Sequence, residues 1–174
     1  MRRVHRTWTA AIVGAALAVA APLVSAESGN EWAMYGGDYA NTRYSTLNQI
    51  NAKNVNKLKV AWIRSLGTLE TQESTPVVVG DTMYVTTSTG PRYVFALSVK
   101  DGSIKWKYEP ELPNDYMATV CCGLDNRGVA YANGRVFVTR LDAKMVALDA
   151  KTGKELWSTT VMDYKKGHAI TSPP

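Results

Sequence analysis

The chain has 174 residues, 45% hydrophobic and 20% charged, with a formal net charge of +5, two cysteines and two histidines. Three of the five surplus charges belong to Arg2, Arg3 and Arg6, which leaves +2 for the rest of the chain, too little for the clustered excess of a nucleic-acid footprint. His168 is the one histidine after residue 26 and the two cysteines are adjacent, which excludes a His- or Cys-type metal centre.

The first 26 residues join a cationic start (Arg2, Arg3, His5, Arg6) to an uncharged, Ala-rich run from Thr7 to Val24 that closes on Val24, Ser25 and Ala26. That pattern is a secretory signal peptide cut after Ala26. The division expected is a signal at 1–26 and an exported segment at 27–174. The apolar run is short beside the roughly 20 residues of a membrane span and no second one follows, so no stable membrane anchor is expected. Glu27 stands where a lipid-anchored protein would carry cysteine. Arg2 and Arg3 admit twin-arginine export, but two arginines are common in any cationic start and ordinary Sec export is preferred. Periplasmic location follows.

Farther along, the sequence repeats. Gly80 to Trp106 (GDTMYVTTSTGPRYVFALSVKDGSIKW) and Asn133 to Trp157 (NGRVFVTRLDAKMVALDAKTGKELW) are two copies of one unit. Each runs through a polar turn, an alternating strand (Met83, Val85; Val136, Val138), a loop, a second strand ending in Ala-Leu, a turn and a tryptophan. Ala96 and Ala147, Gly102 and Gly153, and Trp106 and Trp157 all stand 51 residues apart, so only the loop before Ala96 differs in length. Leu58 to Trp62 form a third, degraded copy without the Asp-Gly turn. Short strands and Gly- and Asp-rich turns, repeating every 40 to 50 residues or so, predict an all-β fold of β-propeller blades.

At Asp101-Gly102 and Thr152-Gly153 the glycine supplies the positive φ of a tight hairpin, and Asp149 can bond nearby amides. Each tryptophan offers a large flat surface that one blade cannot bury alone. Trp62, Trp106 and Trp157 are therefore read as structural, each packed on the following blade, and not as cofactor ligands. A propeller must close, because an open one leaves an edge strand with unpaired backbone groups. Two to three blades do not close it. The expectation is the front part of a longer protein, poorly folded or aggregated alone.

Glu73 immediately precedes a strand, where propeller blade entries face the central channel; a solvated loop carboxylate is its ordinary role. Cys121 and Cys122 either bond each other or stay free. A vicinal bridge closes a strained ring, since consecutive Cα atoms lie about 3.8 Å apart and disulfides usually span roughly 4.4 to 6.8 Å. Such a ring constrains almost no loop, so it serves as a rigid sulfur-rich platform for something flat, or as a redox pair, rather than as a staple. Arg127 follows in the run Cys-Cys-Gly-Leu-Asp-Asn-Arg-Gly-Val-Ala-Tyr and can grip a carboxylate bidentately. Taken alone, such an arginine is more often a surface ion pair. Nucleotide motifs are missing: no GxGxxG follows a strand, and Gly153-Lys154-Glu155 lacks the Ser or Thr of a phosphate loop.

Taken together these residues resemble the PQQ-dependent (pyrroloquinoline quinone) methanol and ethanol dehydrogenases. The resemblance runs through Trp32, Tyr35, Gly36, Asp38, the stretch Asn41 to Ser45, the tryptophan repeats, and Cys121-Cys122 with Asn126 to Tyr131. It implies an eight-bladed propeller of which two to three blades are present, and a Cys121–Cys122 disulfide lying against the PQQ plane. It further implies Arg127 and Thr171 at PQQ carboxylates and Glu73 hydrogen-bonded to the cofactor. The activity implied is hydride removal from a small primary alcohol to PQQ, with an aspartate base, a Ca²⁺ or lanthanide ion as Lewis acid, and a cytochrome c as electron acceptor. The base and metal ligands are expected after Pro174, so the segment alone should be inactive. Two other readings are a non-catalytic propeller scaffold in envelope-protein assembly, which has no need of adjacent cysteines, and a sugar or polyol quinoprotein, which the cysteine pair disfavours.

Overall fold

The computed structural model of the chain describes residues 31–68, 72–87, 90–120 and 123–174. The signal-peptide reading of 1–26 lies outside the described residues. Val77–Val79 (β1), Thr82–Thr87 (β2), Gly90–Ser98 (β3) and Ile104–Tyr108 (β4) make one antiparallel sheet in the order β1-β2-β3-β4. Ala130–Ala132 (β5), Arg135–Thr139 (β6), Lys144–Asp149 (β7) and Glu155–Thr160 (β8) make a second in the order β5-β6-β7-β8. The strands are short, rich in Val, Thr and aromatic residues, and joined by glycine turns, which suits a meander. The sequence repeat becomes a repeat of register. Tyr84 pairs with Ala96 and Ala96 with Trp106; Phe137 pairs with Ala147 and Ala147 with Trp157. Even the slip in the ladder recurs, between Ala96 and Leu97 and again between Ala147 and Leu148.

These are two of the two to three blades expected, and their core lies between them. Tyr84, Val94 and Trp106 of the first sheet share one apolar cluster with Val136, Val146 and Leu148 of the second. Burial of each Val or Leu contributes about 1.5–3 kcal/mol. On its other face the first sheet packs Val85, Phe95 and Leu97 against Leu66 of the segment that precedes it.

The tryptophans join one unit to the next. Trp106 donates its indole N–H to the Ala150 carbonyl at 2.9 Å, and Trp62 donates its own to the Val99 carbonyl at 2.8 Å, 51 residues earlier in the repeat. The ring of Trp106 lies over Gly153 and that of Trp62 over Gly102: a Cβ built on either glycine would sit 2.5 Å from the indole Cε3. Gly102 and Gly153 also hold φ of +68° and +71°. Glycine is required twice over, for the turn and for the close approach. Residues 58–62 thus stand toward the first blade as the outer strand β4 stands toward the second. Trp157 differs: it is 40% exposed and touches Phe137, at a ring separation of 6.1 Å, and no glycine turn meets it among the described residues.

Tyr84 adds a second donor to the Ala150 carbonyl, at 3.2 Å, and burial pushes its hydroxyl pKa up to about 12, so it remains a donor at any ordinary pH. In the turns, hydrogen bonds from the Ser103 amide and hydroxyl hold the Asp101 carboxyl down at about 2, and the Thr152 hydroxyl and amide lower Asp149.

Two outcomes follow. In urea melts of the intact protein, Gly153→Ala is expected to lose about 2 kcal/mol or more, because it combines φ strain with a clash against Trp106; Gly134→Ala, at φ +73° with open space around it, loses only about 1 kcal/mol. The second concerns acid. Asp101 has a lower pKa folded than unfolded, so its contribution is present above the unfolded value and fades as pH falls toward about 2. The melting temperature of the wild type should therefore drop more steeply between about pH 4 and 2 than that of Asp101→Asn.

Candidate functional site

The stretches leading into the first strand of each blade, 72–76 before β1 and 123–129 before β5, run side by side. Thr75 and Gly128 form a parallel bridge, with the Thr75 amide donating to the Arg127 carbonyl at 3.1 Å. This approach needs glycine: at Gly128, φ is +131° and a Cβ would stand 2.9 Å from the Thr75 carbonyl oxygen. The chain returns along the other side of the same loop. The Arg127 amide donates to the Thr171 carbonyl at 2.9 Å, and the Thr139 hydroxyl to the Ser172 carbonyl at 2.6 Å.

Three of the sequence-predicted residues meet on this ladder. Arg127 Nη2 lies 2.9 Å from Glu73 Oε2, and Arg127 Nη1 donates to Thr171 Oγ1 at 2.7 Å. The pair is open to solvent, with side chains 42% exposed for Arg127 and 39% for Glu73. Cys121 and Cys122 lie outside the described residues.

Beneath the ion pair is a layer that the sequence did not single out. Ser74 Oγ accepts from the Thr86 amide and bonds Thr86 Oγ1, both at 3.0 Å, and Thr86 Oγ1 donates to the Asn126 carbonyl at 3.0 Å. Asn126 is buried, with its Nδ2 donating to the Thr139 carbonyl and its Oδ1 accepting from the Gly128 amide, each at 3.0 Å. No buried side-chain nitrogen or oxygen among the described residues lacks a partner. The available signal was Asn126 itself, a polar residue immediately before Arg127 and four positions ahead of β5, but its distant partners lie 13 and 40 residues away.

Chemically the arrangement can take an anion. A guanidinium has five N–H donors; among the described residues Arg127 spends two, on Glu73 and Thr171, and three remain. Glu73 and Thr171 fix the plane of the fork, and partial exposure leaves it open to a ligand carboxylate. The donor set fits a flat polycarboxylate such as PQQ. Among the described residues no three His, Cys, Asp or Glu side chains gather as a metal site.

Two four-stranded propeller blades, with the Glu73–Arg127–Thr171 cluster on their seam, are the class that fold and site define. The model of the PQQ family, described as the glucose/ethanol/alcohol dehydrogenase β-propeller domain, matches residues 32–163. The chain belongs to that PQQ β-propeller family. It is 51% identical over 146 residues to the lanthanide-dependent methanol dehydrogenase of Methylacidiphilum fumariolicum, covering 83% of this chain and 24% of the relative. It is 43% identical to the 1-butanol dehydrogenase (cytochrome c) of Thauera butanivorans, covering 84% and 21%. Among solved structures, a europium-containing methanol dehydrogenase superposes with a TM-score of 0.80 at 49% identity, covering 85% of this chain and 26% of that one. The chain spans about a quarter of the length of the curated relatives it matches.

The exposed ion pair contributes little to stability. Because the Glu73–Arg127 pair is exposed, Glu73→Ala should change unfolding free energy by under about 1 kcal/mol. Gly128→Ala, forced against the Thr75 carbonyl, should lose about 2 kcal/mol or more by the same denaturant measurement.

Proposed function

We propose that the protein carrying this chain is a PQQ-dependent dehydrogenase that oxidises primary alcohols to aldehydes and passes the electrons to a cytochrome c. The observation that carries this reading is the convergence of Glu73, Arg127 and Thr171, from three separate stretches, at one half-exposed spot on the blade seam. PQQ, when bound, supplies the oxidant that takes up the hydride. The residues of this chain bind and orient. Arg127 presents its remaining N–H donors to a carboxylate, Thr171 adds a hydroxyl beside it, and Glu73 holds the second edge of the guanidinium while hydrogen-bonding the cofactor. Cys121 and Cys122, joined as a disulfide ring in the loop that leads to Arg127, form the flat bed under it.

The base and the metal ligands are assigned to sequence beyond Pro174, in the rest of an eight-bladed propeller whose first part is 27–174, and 27–174 alone is inactive. The metal is Ca²⁺ or a lanthanide; relatives at 51% and 43% identity carry the name lanthanide-dependent methanol dehydrogenase, so lanthanide reconstitution is the first to try. A relative named for cytochrome c supports the acceptor. Export through a signal at 1–26 gives a periplasmic enzyme. No helix among the described residues is long and apolar enough to cross a membrane.

Replacing Arg127 by Met in the intact protein should weaken PQQ about 10- to 100-fold, the worth of one or two charge-assisted hydrogen bonds, as read by fluorescence titration. Replacing both cysteines by Ser should abolish most dye-linked alcohol oxidation. Unchanged affinity and unchanged turnover would remove Arg127 and the cysteines from the cofactor site, whereas an intact wild type that neither binds PQQ nor oxidises alcohol would leave a non-catalytic scaffold as the better account.

A further inference from the structure

A guanidinium fork recognises a carboxylate only when the fork is aimed, and a long side chain is aimed first by its backbone. Arg127 is pinned on both sides, its amide on the Thr171 carbonyl and its carbonyl under the Thr75 amide. What sets the loop itself is the residue before it. Asn126 is 1% exposed and every polar atom of its side chain is used: Oδ1 takes the Gly128 amide, which folds the backbone around Arg127, and Nδ2 reaches the Thr139 carbonyl at the end of β6. Its own carbonyl accepts from Thr86 Oγ1, at the end of β2 in the preceding blade.

Two further links make this more than packing. Thr86 leads on to Ser74, whose neighbour is Glu73, so the two partners of the exposed ion pair each stand one residue from an end of the buried chain Ser74–Thr86–Asn126. Thr139, which receives the Asn126 amide, also holds Ser172, the neighbour of Thr171. The Asn126 carboxamide is therefore tied to the backbone beside Arg127 and, through Thr139, to the backbone beside Thr171, while the main-chain carbonyl of the same residue takes the Thr86 hydroxyl of the preceding blade on the way to Glu73. We propose that Asn126 is the positioning residue of the site: it reads the relative placement of the two blades and fixes the aim of Arg127. The inference rests on the reading of Arg127 as the carboxylate clamp. Only a carboxamide suits the place. Aspartate keeps the acceptor for Gly128 but faces the Thr139 carbonyl with a second acceptor, and an aliphatic side chain satisfies neither group.

The test is a double-mutant cycle in the intact protein, read by the PQQ dissociation constant and by urea unfolding of the cofactor-free form. Asn126→Asp is expected to weaken PQQ about 10-fold or more in the Arg127 background, and to weaken it no further once Arg127→Met is present, because its effect runs through Arg127. Thr86→Val removes only the hydroxyl that holds the Asn126 carbonyl and should show the same non-additivity; it decides the matter if Asn126→Asp does not fold. Val146→Ala, in the core between the blades, supplies a variant of lowered stability with unchanged affinity. Normal affinity in Asn126→Asp and Thr86→Val beside a weakened Arg127→Met, or fully additive losses, would overturn the positioning role alone. Normal affinity in Arg127→Met would overturn the clamp, and this inference with it.

Discussion

The arrangement depends on one repeated contact, an indole laid on the glycine turn of the following unit. Trp62 on Gly102 and Trp106 on Gly153 share the same indole hydrogen bond and the same separation from the place a Cβ would occupy. The contact joins hydrophobic area to a directional hydrogen bond, so it fixes distance and angle together. An apolar interface alone would bury similar area with less precision of register. Because the latch sits at the outer strand and the apolar cluster in the middle, the entry stretches are brought together at the inner end of the blades, where Thr75 meets Gly128.

The seam changes character along its length. Its middle is apolar, with Val77, Val94, Val136 and Val146 fully buried. Its end is a string of hydroxyls, one carboxamide and backbone groups, with every buried side-chain nitrogen and oxygen among the described residues partnered, and the exposed Glu73–Arg127 pair caps it. Buried polar chains contribute less to net stability than apolar packing does, but each bond has a direction, which suits a site whose side chains must point one way. The ion pair contributes little to stability and is left free to exchange partners for a ligand.

Much of this was legible in the sequence. The 51-residue spacing of Ala96 and Ala147 and of Trp106 and Trp157 became identical strand pairing and an identical ladder slip, and Trp62 and Trp106 pack on the next unit as expected. Trp157, read the same way, is 40% exposed. Glu73, Arg127 and Thr171, taken from the family resemblance, meet within hydrogen-bonding distance; the cysteine pair and the leader lie outside the described residues. What the sequence hid is the layer beneath. Ser74, Thr86 and Thr139 are ordinary strand and turn residues, and Asn126 looked like part of a motif, because side-chain hydrogen bonds to groups 12 to 40 positions away leave no periodic trace. Periodicity reports which faces are apolar, not which polar groups will find each other once the faces close.

The central claim is that the seam between two latched blades carries the cofactor clamp. A crystal structure of the intact protein with PQQ tests it most directly. The account predicts a PQQ carboxylate in hydrogen-bonding contact with the Arg127 guanidinium and the Thr171 hydroxyl, with Asn126 still bonded to Thr139 and Gly128. Cofactor density away from these residues, with the Glu73–Arg127 pair closed on itself, would contradict it.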